Sequence, residues 1–549
     1  MLNATLNPSS PFYPTAYVAS LPNGKTNLPI LVSFRTLELG PRWDEAKVHQ
    51  SRLVAGLQGL IANWDYSTSV NYTENEQIDT YKGGYVSENG LGALIQNGTV
   101  NPFGFNTPAA LTAMQATSIL GDASKNKAKN YGWDAKISNE LMQLPAGPLA
   151  VALGVDYRKE KLDLINSAFL SSGDVWGGAG AIPSLTGVDR TVSAFFGELN
   201  VPILRNLEMN VAARWDHYSD FGSTTNPKVT LRWTPTRELL VRGAYGTGFR
   251  APTLYDLFQP FLITNTGGSW DDPIRCPVTG LVTDCNLQFN AKQGGNAALQ
   301  PEKSKQRYAG LVWEPSNQMS IGVDYYKIYI KNLISAITDS TIFGDYNRYA
   351  ATQVIRGPVD PNFPNLPGPI AFVLENTVNV GKQSTSGIDV DVTYRFPSTS
   401  VGRFTVKYNG AYVMSWKQQT FDNTDYPDFV GQGGSLVGFG AIPRYRHYAT
   451  LDWTSGPFGA TLAQTYQDSY KEGDFVTGGE RRVGTYELYD LQGRWTGWKN
   501  LSLKLGVRNI LDRAPPVSNQ SNSFQAGYDP TYGDPRGRMY YGTVQVSFK

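Results

Sequence analysis

The sequence predicts an all-β fold, an antiparallel transmembrane β-barrel, and three observations support this prediction. Apolar and polar residues alternate along many segments, these segments are long, and the connections between them are short and long in turn. Successive side chains of a strand point to opposite faces, so alternation gives one apolar and one polar face. Near the C-terminus, Val544 and Val546 share one such face and Thr543 and Gln545 share the other.

The alternating segments resemble strands that cross a membrane. In chain order the clearest of them are 149–158, 207–216, 387–396 and 501–508. Segments such as 147–166, 319–334 and 402–418 exceed the ~5–6 residues of a typical globular strand and reach the ~9–11 that cross a bilayer. Their polar faces carry charges and their apolar faces often end in aromatic residues, as in a water-filled barrel with aromatic girdles. A soluble β-sandwich or a propeller also alternates and stays as the alternative.

The chain is predicted to form one domain, residues 1–549, because no repeat or linker divides it. Alternation and turn residues place about nineteen strands between residue 28 and the C-terminus. Tight turns are predicted at 205–206, 234–237 and 398–402, and short helices at 91–97 and 107–119. The long loops are expected to face outside the cell; they are about 250–304, 335–368, 419–443 and 513–536.

The composition excludes several classes of protein. Lys plus Arg is 48 and Asp plus Glu is 47, so the formal net charge of +1 lacks the basic excess of a nucleic-acid binder. No apolar run approaches the ~18 residues of a membrane-spanning helix. No phosphate-binding loop or nucleophile elbow is found, and the three histidines, His49, His217 and His447, are far apart. The sequence therefore predicts no enzyme, no metal site and no cofactor.

The two cysteines, Cys276 and Cys285, lie nine positions apart in the longest loop. A disulfide that closes a short loop fits an oxidising compartment. The alternative is a pair of free thiols. The proximity of the pair, in a chain with no other cysteine, favours the disulfide.

Several stretches resemble the C-terminal β-barrel of TonB-dependent outer-membrane receptors. These are GAYGTGFRAPTLYDLF (243–258), NAALQPEKSKQ (296–306), MSIGVDYYKIYIKNLI (319–334), SGIDVDVTYRF (386–396), LSLKLGVRNILDRAPP (501–516) and GYDPTYGDPRGRMYYGTVQVSFK (527–549). Within them, the residues most tied to the family pattern are Arg250, Pro252, Pro301, Glu302, Asn509 and Asp512. The first four are expected to bracket the long loop, and the last two to cap their own backbone at a turn.

The resemblance implies a fold, a location and a set of partners. Such receptors are 22-stranded barrels with a plug domain in the lumen, and they lie in the outer membrane of Gram-negative bacteria. A segment before the plug contacts TonB, which supplies energy, and the substrates include ferric siderophores, haem, vitamin B12 and oligosaccharides. The resemblance also implies assembly by the barrel-assembly machinery, for which Phe548, one position from the end, is the expected signal.

The chain departs from the family pattern at its N-terminal side. No plug sequence, TonB-contacting segment or signal peptide is recognised, and about nineteen strands fall short of 22. We expect that about three strands and everything before them are absent from this chain. A barrel lacking strands has two open edges, whose unpaired backbone groups are costly in lipid. The sequence therefore predicts that this chain alone neither inserts stably nor transports.

Two groups of residues are candidates for contact with a substrate or with a plug. Aromatic side chains of the long loops can stack on sugar rings and planar chelates, although packing within the loop is the commoner role; they are Phe258, Phe261, Trp270, Tyr426, Phe429 and Phe439. Charged side chains on the lumen face can bind a ligand, although contact with a plug is favoured; they are Arg214, Arg242, Asp389, Asp391, Arg395, Arg494 and Arg508.

Three functions follow from this interpretation. The first is an outer-membrane active transport receptor for a scarce small-molecule nutrient, of the ferric siderophore or oligosaccharide class, energised through TonB by a plug. The second is a passive or structural outer-membrane pore without a plug. A soluble carbohydrate-binding β protein is a distant third. A plug reading in frame upstream of Met1 separates the first two, and solubility without detergent identifies the third.

Overall fold

The computed structural model describes residues 2–21, 26–176, 180–379, 381–419, 426–433, 440–473, 479–520 and 526–548. The strands of the first half are β1 Leu2–Leu6, β2 Ile30–Phe34, β3 Trp43–Ile61, β4 Trp64–Gly83, β5 Gly121–Leu144, β6 Gly147–Asn166, β7 Leu185–Leu204, β8 Leu207–Tyr218, β9 Gly222–Trp233, β10 Leu239–Arg250, β11 Leu262–Asn265 and β12 Asn290–Gln293. The strands of the second half are β13 Glu302–Ser316, β14 Met319–Lys331, β15 Ile334–Ala336, β16 Val354–Arg356, β17 Ile370–Leu374, β18 Thr377–Asn379, β19 Lys382–Arg395, β20 Arg403–Gln418, β21 Tyr445–Ser455, β22 Phe458–Gln467, β23 Tyr470–Gly473, β24 Glu480–Val483, β25 Tyr486–Trp498, β26 Leu501–Arg508 and β27 Met539–Val546.

Eight short helices lie between these strands in the described residues. They are α1 Thr15–Ser20, α2 Glu88–Gln96, α3 Pro108–Ala116, α4 Ala168–Ser172, α5 Leu254–Phe258, α6 Cys276–Thr279, α7 Asp339–Gly344 and α8 Tyr346–Gln353, with a 3₁₀ turn at Leu37–Leu39. The helices α2 and α3 confirm the two predicted at 91–97 and 107–119. Among the described residues, no helix combines the length and the apolar character needed to span a membrane.

Seventeen of the strands form one antiparallel sheet in the order of a barrel. The strands β3 to β10 follow one another, and then come β13, β14, β19 to β22 and β25 to β27. The predicted antiparallel β-barrel is thereby confirmed, with seventeen barrel strands in the described residues against about nineteen expected. Residues before 28 also form a strand, β1, which the alternation did not indicate; it pairs with β2 outside the barrel.

Short and long connections take turns along the barrel. Tight turns of two residues join strands at one end, at 62–63, 145–146, 205–206, 317–318, 456–457 and 499–500. At the other end the connections include 84–120, 251–301, 332–381 and 509–538. Asn63 and Asn500 take positive φ angles of 66° and 70° in two of the tight turns, a conformation that asparagine tolerates better than most residues.

The register of the ladders separates a polar from an apolar face of the sheet. Leu451, Leu462 and Leu491 are direct cross-strand neighbours, and each exposes more than 40% of its surface. The opposite face of the same strands carries Asp452, Thr461 and Gln492. Because an exposed leucine row is stable in lipid and costly in water, the leucine face is the outside of the barrel and the polar face is the lumen.

The first and last barrel strands differ from the rest in their pairing. The barrel order places β27 next to β3. Ladders of paired residues join all the remaining pairs of neighbouring barrel strands. No such ladder joins β27 to β3 in the part of the chain described, and nearly all side chains of β3 are exposed. Whether the chain inserts alone stays a prediction.

The long connections at one end of the barrel have cores of their own. One core joins the N-terminal strands β1 and β2 to α2 and α3 through Leu6, Phe34, Leu91 and Met114, all buried. A second core lies between the connections 251–301 and 332–379, around Phe289, Ile342 and Val373; we call these two connections together the loop body. A third joins Tyr470 and Tyr486 to Tyr532.

Candidate functional site

The lumen face of β10, β13, β14 and β19 carries a charged row whose members pair across strands. Arg242 stands opposite Gly310, Gly310 opposite Asp324, and Asp324 opposite Asp389. The Arg242 guanidinium donates to Asp324 at 2.7 Å, and the Tyr308 hydroxyl donates to the same carboxylate. A Cβ at Gly310 would collide with the Asp324 carboxylate, so a larger residue at this position would displace the Asp324 side chain from its place opposite Arg242.

Two further carboxylates extend this row, and neither forms an ion pair with another residue that the structure describes. Asp389 lies next to Asp324 in the ladder, and Asp391 accepts a hydrogen bond from the Asn409 amide. Arg446, on β21, faces the same lumen across Ala411. Arg242, Asp389 and Asp391, which the sequence proposed, are thus brought together on one face. Asp324 and Tyr308 were missed, although their inward parity in the strand pattern was the signal that could have found them.

A second charged cluster lies on the lumen face of β6, β7 and β8. Arg158 pairs with Glu160 at 2.8 Å, and Arg190 pairs with Glu160 at 2.7 Å. Arg214 pairs with Asp216 at 2.9 Å and approaches Asp156 at 3.7 Å. Only Arg214 of this cluster was a sequence candidate, although the alternation in 149–158 already indicates that Asp156 and Arg158 lie on the polar face.

Arg190 connects the second cluster to the base of the loop body. Its side chain is buried, and one guanidinium nitrogen donates to the Pro252 carbonyl at 2.7 Å. Arg250 stands opposite Glu302 in the ladder and pairs with it at 2.7 Å, and Glu302 also accepts the Ile334 backbone N–H at 2.8 Å. The residues of the GFRAP and QPEKS motifs therefore fasten both loops to the barrel rim.

The remaining family-motif residues form the turn after β26. The Asn509 side chain accepts the Arg513 backbone N–H and donates to the Arg513 carbonyl, at 2.8 and 2.9 Å. The Asp512 carboxylate accepts the Arg538 backbone N–H at 2.8 Å. The Asn509 contacts are the local backbone capping that asparagine favours. The Asp512 contact is not local, because it ties the turn to a residue 26 positions away, just before β27. Pro301, before Glu302, is buried.

The other lumen candidates lie apart from the two clusters. The Arg508 guanidinium lies over the Tyr541 ring at 5.5 Å and lines a lumen cavity of about 410 Å³ with Asp490 and Arg536. Arg494 lines a smaller groove beside Asp452. Arg395 is exposed near the tight-turn end of β19. The structure therefore spreads these three arginines along the lumen wall.

The loop aromatics occupy different environments. Trp270 packs inside the loop body, where its ring stacks on Phe343 at 5.2 Å and its Nε1 donates to Asp339 at 2.9 Å. Phe258 keeps 36% of its surface exposed and Phe261 keeps 48%, with the Lys292 ammonium over the Phe261 ring at 4.4 Å.

Tyr426 and Phe429 lie in the connection after β20 and are half-buried. The Phe429 ring packs edge-on against Trp416, with ring centres 5.9 Å apart. Phe439 lies outside the described residues. At the C-terminus, Phe548 is 92% exposed, so it offers a free aromatic side chain beyond the last strand.

The loop body is held by buried ion pairs and a disulfide. Arg275 and Asp284 are almost fully buried and lie 3.0 Å apart, while Arg356 pairs with Asp272 through both guanidinium nitrogens at 2.8 Å. The predicted disulfide is present, with the Cα atoms of Cys276 and Cys285 5.2 Å apart. The Arg275–Asp284 pair and the disulfide each join residues nine positions apart, whereas the Arg356–Asp272 pair joins the two connections across 84 positions, so both loops form one folded unit.

Two carboxyl groups of the loop body have pKa values shifted in opposite directions. Burial opposes the charge of Asp272, but the Arg356 guanidinium and the backbone N–H groups of Ile274 and Arg275 together hold its pKa below the usual range. Burial raises the pKa of Glu375, whose Oε2 accepts the Gln293 amide at 2.7 Å. Its Oε1 is buried and has no partner in the described part of the chain.

The geometry is that of a membrane barrel with a charged lumen under folded loops, and the comparisons name the family. Residues 4–510 match the family described as TonB dependent receptor-like, beta-barrel. The chain therefore belongs to the TonB-dependent receptor β-barrel family. It is an outer-membrane protein of Gram-negative type, from a family of receptors rather than enzymes.

Particular relatives are siderophore receptors. The chain is 22% identical over 501 residues to the ferric enterobactin receptor of Pseudomonas aeruginosa, covering 88% of this chain and 57% of that protein. It is 22% identical over 414 residues to the ferrienterobactin receptor of Escherichia coli K12, covering 72% and 48%. The chain thus spans about half the length of the curated relatives it matches.

Solved structures share the fold. The siderophore receptor PirA of Acinetobacter baumannii superposes with a TM-score of 0.62 at 14% identity, over 92% of this chain and 63% of that one. The ferric enterobactin receptor PfeA of Pseudomonas aeruginosa also gives 0.62, at 19% identity, over 92% and 62%. At such identities the superpositions show the fold alone.

Proposed function

We propose that this chain forms the barrel of an outer-membrane receptor that imports a ferric siderophore. The observation that carries the proposal is the match of residues 4–510 to the receptor barrel family, with ferric enterobactin receptors among the relatives. The loop body supports it, because a folded extracellular unit above a charged lumen suits capture of a polar chelate. The oligosaccharide class is the competing substrate.

The energy source follows from the same family. A plug domain in the lumen, coupled to TonB, would occupy the space lined by Asp389, Asp391 and Arg446. These side chains face the lumen on neighbouring strands, and charged groups there suit hydrogen bonds and ion pairs with a plug. The charges Arg214, Arg242, Arg395, Arg494 and Arg508 are proposed to contact the plug in the same way. Phe258 and Phe261 are proposed to contact the ligand, since their rings stay exposed in the loop body.

Growth under iron limitation tests the proposal. The complete gene would be expressed in a Gram-negative strain lacking its own siderophore receptors, with a ferric catecholate siderophore as the sole iron source. Growth that depends on the gene and is lost when TonB is deleted supports a siderophore receptor. Uptake that survives TonB deletion identifies the passive pore, and uptake of labelled oligosaccharide without siderophore uptake identifies the other substrate class.

A further inference from the structure

Six cations form a continuous patch on the outer face of the barrel. In the ladders of β13, β14 and β19, Leu311 stands opposite Val323 and Val323 opposite Val390, which fixes the outward parity. The cations share that parity further along the same strands, and all six are exposed. We call them the outward cation patch: Lys303, Lys305, Arg307, Lys327, Lys331 and Lys382.

The register sets like charges directly against each other. Lys303 stands opposite Lys331, and Lys331 stands opposite Lys382, so three ammonium groups follow one another across three strands. Lower on the same strands, Arg307 stands opposite Lys327. Like charges directly opposite each other destabilise a sheet. The members of these three like-charged pairs therefore repel each other within the folded sheet, and a single glutamate among them would reduce the repulsion.

No side chain in the described part of the chain neutralises the patch. Among the described residues, none of the six cations forms an ion pair within 4.0 Å or a side-chain hydrogen bond. The nearest carboxylate in sequence, Glu302, stands next to Lys303 on β13, but it points to the opposite face and pairs with Arg250 at 2.7 Å. Asp324, Asp389 and Asp391 also point into the lumen. The charge of the patch is therefore directed outward, away from the substrate path.

The patch begins where the strands have just crossed the membrane. A tilted strand needs about 9–11 residues to span the hydrocarbon. Counted from the tight turn at 317–318, Arg307 is the tenth residue of β13 from Ser316, and Lys327 is the ninth residue of β14 from Met319. Lys303 and Lys331 lie four residues further out on each strand. Tyr325, just below, adds the aromatic residue expected at the boundary.

We propose that the outward cation patch binds phosphate-bearing lipid headgroups of the outer leaflet. Its height on the strands places it at the headgroups, its charge matches phosphates, and the long lysine stems can keep their ammonium groups in the polar layer. A groove of about 440 Å³ opens among Lys303, Lys305, Lys331 and Tyr329, so that a headgroup can settle between the cations. The partner is a lipid and not the transported nutrient, because the patch faces away from the lumen.

A second outward face provides the matched control. On β5 and β6 four of the outward lysines pair with acidic residues of neighbouring strands, namely Lys125 and Lys127 with Glu76 at 3.1 and 2.9 Å, Lys129 with Glu74 at 3.4 Å and Lys159 with Asp189 at 2.8 Å. Lys161, which stands opposite Lys129, has Asp189 as its other cross-strand neighbour. Outward lysines that already have acidic partners are therefore not expected to bind lipid phosphates. The two faces differ in how their positive charges are balanced. In the described residues the cations of the β13–β19 face have no acidic partner, whereas paired lysines of the β4–β6 face are balanced by acidic side chains of the same chain.

Lipid binding by the complete receptor, expressed from the whole gene and purified in detergent, tests the proposal. Native mass spectrometry would count bound bisphosphorylated lipid A, with the same lipid stripped of its phosphates as the comparison. The chain is expected to favour the phosphorylated lipid at least about tenfold. The variant K303Q/K331Q/K382Q should lose that preference, K303R/K331R/K382R should keep it, and K125Q/K127Q/K129Q should keep it. A heat-modifiability gel checks that each variant folds.

Several outcomes would overturn the proposal. One is undiminished phosphorylated-lipid binding by a folded K303Q/K331Q/K382Q variant. Another is equal binding of the stripped lipid, which would make acyl contacts the cause. A third is displacement of the lipid by an equal concentration of inorganic phosphate, which would identify a simple anion site. Retained preference in the arginine variant and lost preference in the glutamine variant together support the proposal, since only charge then separates the two.

Discussion

The barrel wall and the loop body both contain arginine–aspartate ion pairs, but these pairs differ in how much of their surface is exposed. On the lumen wall, the Arg242 side chain keeps 42% of its surface exposed while pairing with Asp324. In the loop body, the side chains of Arg275 and Asp284 expose only 2% and 1%. Exposed pairs contribute little because water screens them, whereas removing one partner of a buried pair leaves a charge without compensation.

This difference indicates that the barrel wall and the loop body are stabilised by different interactions. The wall is held by backbone ladders along its neighbouring strands, so that each side-chain pair in it is dispensable for folding. The loop body has only short strands and a small core around Ile342 and Val373. It therefore depends on buried ion pairs and on a covalent bond. The predictions below test that division, starting with the largest effect.

The Arg275→Ala variant should unfold the loop body and leave the barrel intact. Asp284 would stay buried without its guanidinium partner, which costs about 3–5 kcal/mol for a buried pair. Limited proteolysis should cut the connections 251–301 and 332–379 rapidly, while the heat-modifiability of the barrel stays unchanged. Arg242→Ala is the matched control on the wall. Equal protease sensitivity of both variants would contradict the division between the regions.

The Cys276→Ser/Cys285→Ser variant should weaken the loop body by a smaller amount. The bond closes a loop of about ten residues, for which loop-closure entropy gives about 2–3 kcal/mol. Chemical reduction of the unaltered protein should have the same effect as the substitutions. Hydrogen exchange of peptides from α6 should accelerate, and exchange in β13 and β14 should not. Unchanged exchange after reduction would show that the ion pairs alone hold this segment.

The pH dependence of the loop body should follow its two shifted carboxyl groups. Because burial raises the pKa of Glu375, its neutral form stabilises the folded loops below the usual glutamate range, and this contribution is lost as pH rises through the raised pKa. Asp272 acts in the opposite sense, since its lowered pKa adds stability above the usual aspartate range that is lost on acidification.

The Glu375→Gln variant isolates the first of these two contributions. The amide keeps a polar partner for Gln293 without a buried charge, so the loop body should become more resistant to proteolysis at neutral pH and its decline on alkalinisation should vanish. The acid-side decline due to Asp272 should remain. A variant whose proteolysis profile matches the unaltered protein from acid to neutral pH would show that Glu375 does not titrate with folding.

The sequence predicted the wall well because its period is local. Alternation assigned Asp389, Asp391 and Arg242 to one polar face, and the ladders place them there. The loop body was different, because its contacts join distant segments. Trp270 reaches Asp339 and Asp272 reaches Arg356, and no pattern in either loop alone indicates the partner.

The like charges on the outer face are a second feature that the sequence pattern alone does not predict. Lys303, Lys331 and Lys382 are ordinary surface lysines in the sequence, dispersed over eighty residues. Only the register brings them into one row across three strands. Asp324 was missed as a partner of Arg242 for the same reason, because the register between the strands decides which residues face each other. Parity can be read within a strand, but the neighbour across the ladder depends on the lengths of turns and bulges.

The smallest expected effect comes from the wall itself. In Arg242→Gln, Asp324 keeps the hydrogen bond from Tyr308, and the arginine side chain that is removed lay 42% exposed, so the barrel should lose only about 0.5–1 kcal/mol. The temperature of the heat-modifiable transition in detergent measures this loss, with Tyr308→Phe as the second member of a double-mutant cycle. If the double variant loses much more than the sum, Asp324 is held by two coupled donors. The charged row would then contribute to folding as the loop-body pairs do, and the contrast between wall and loops would be one of degree.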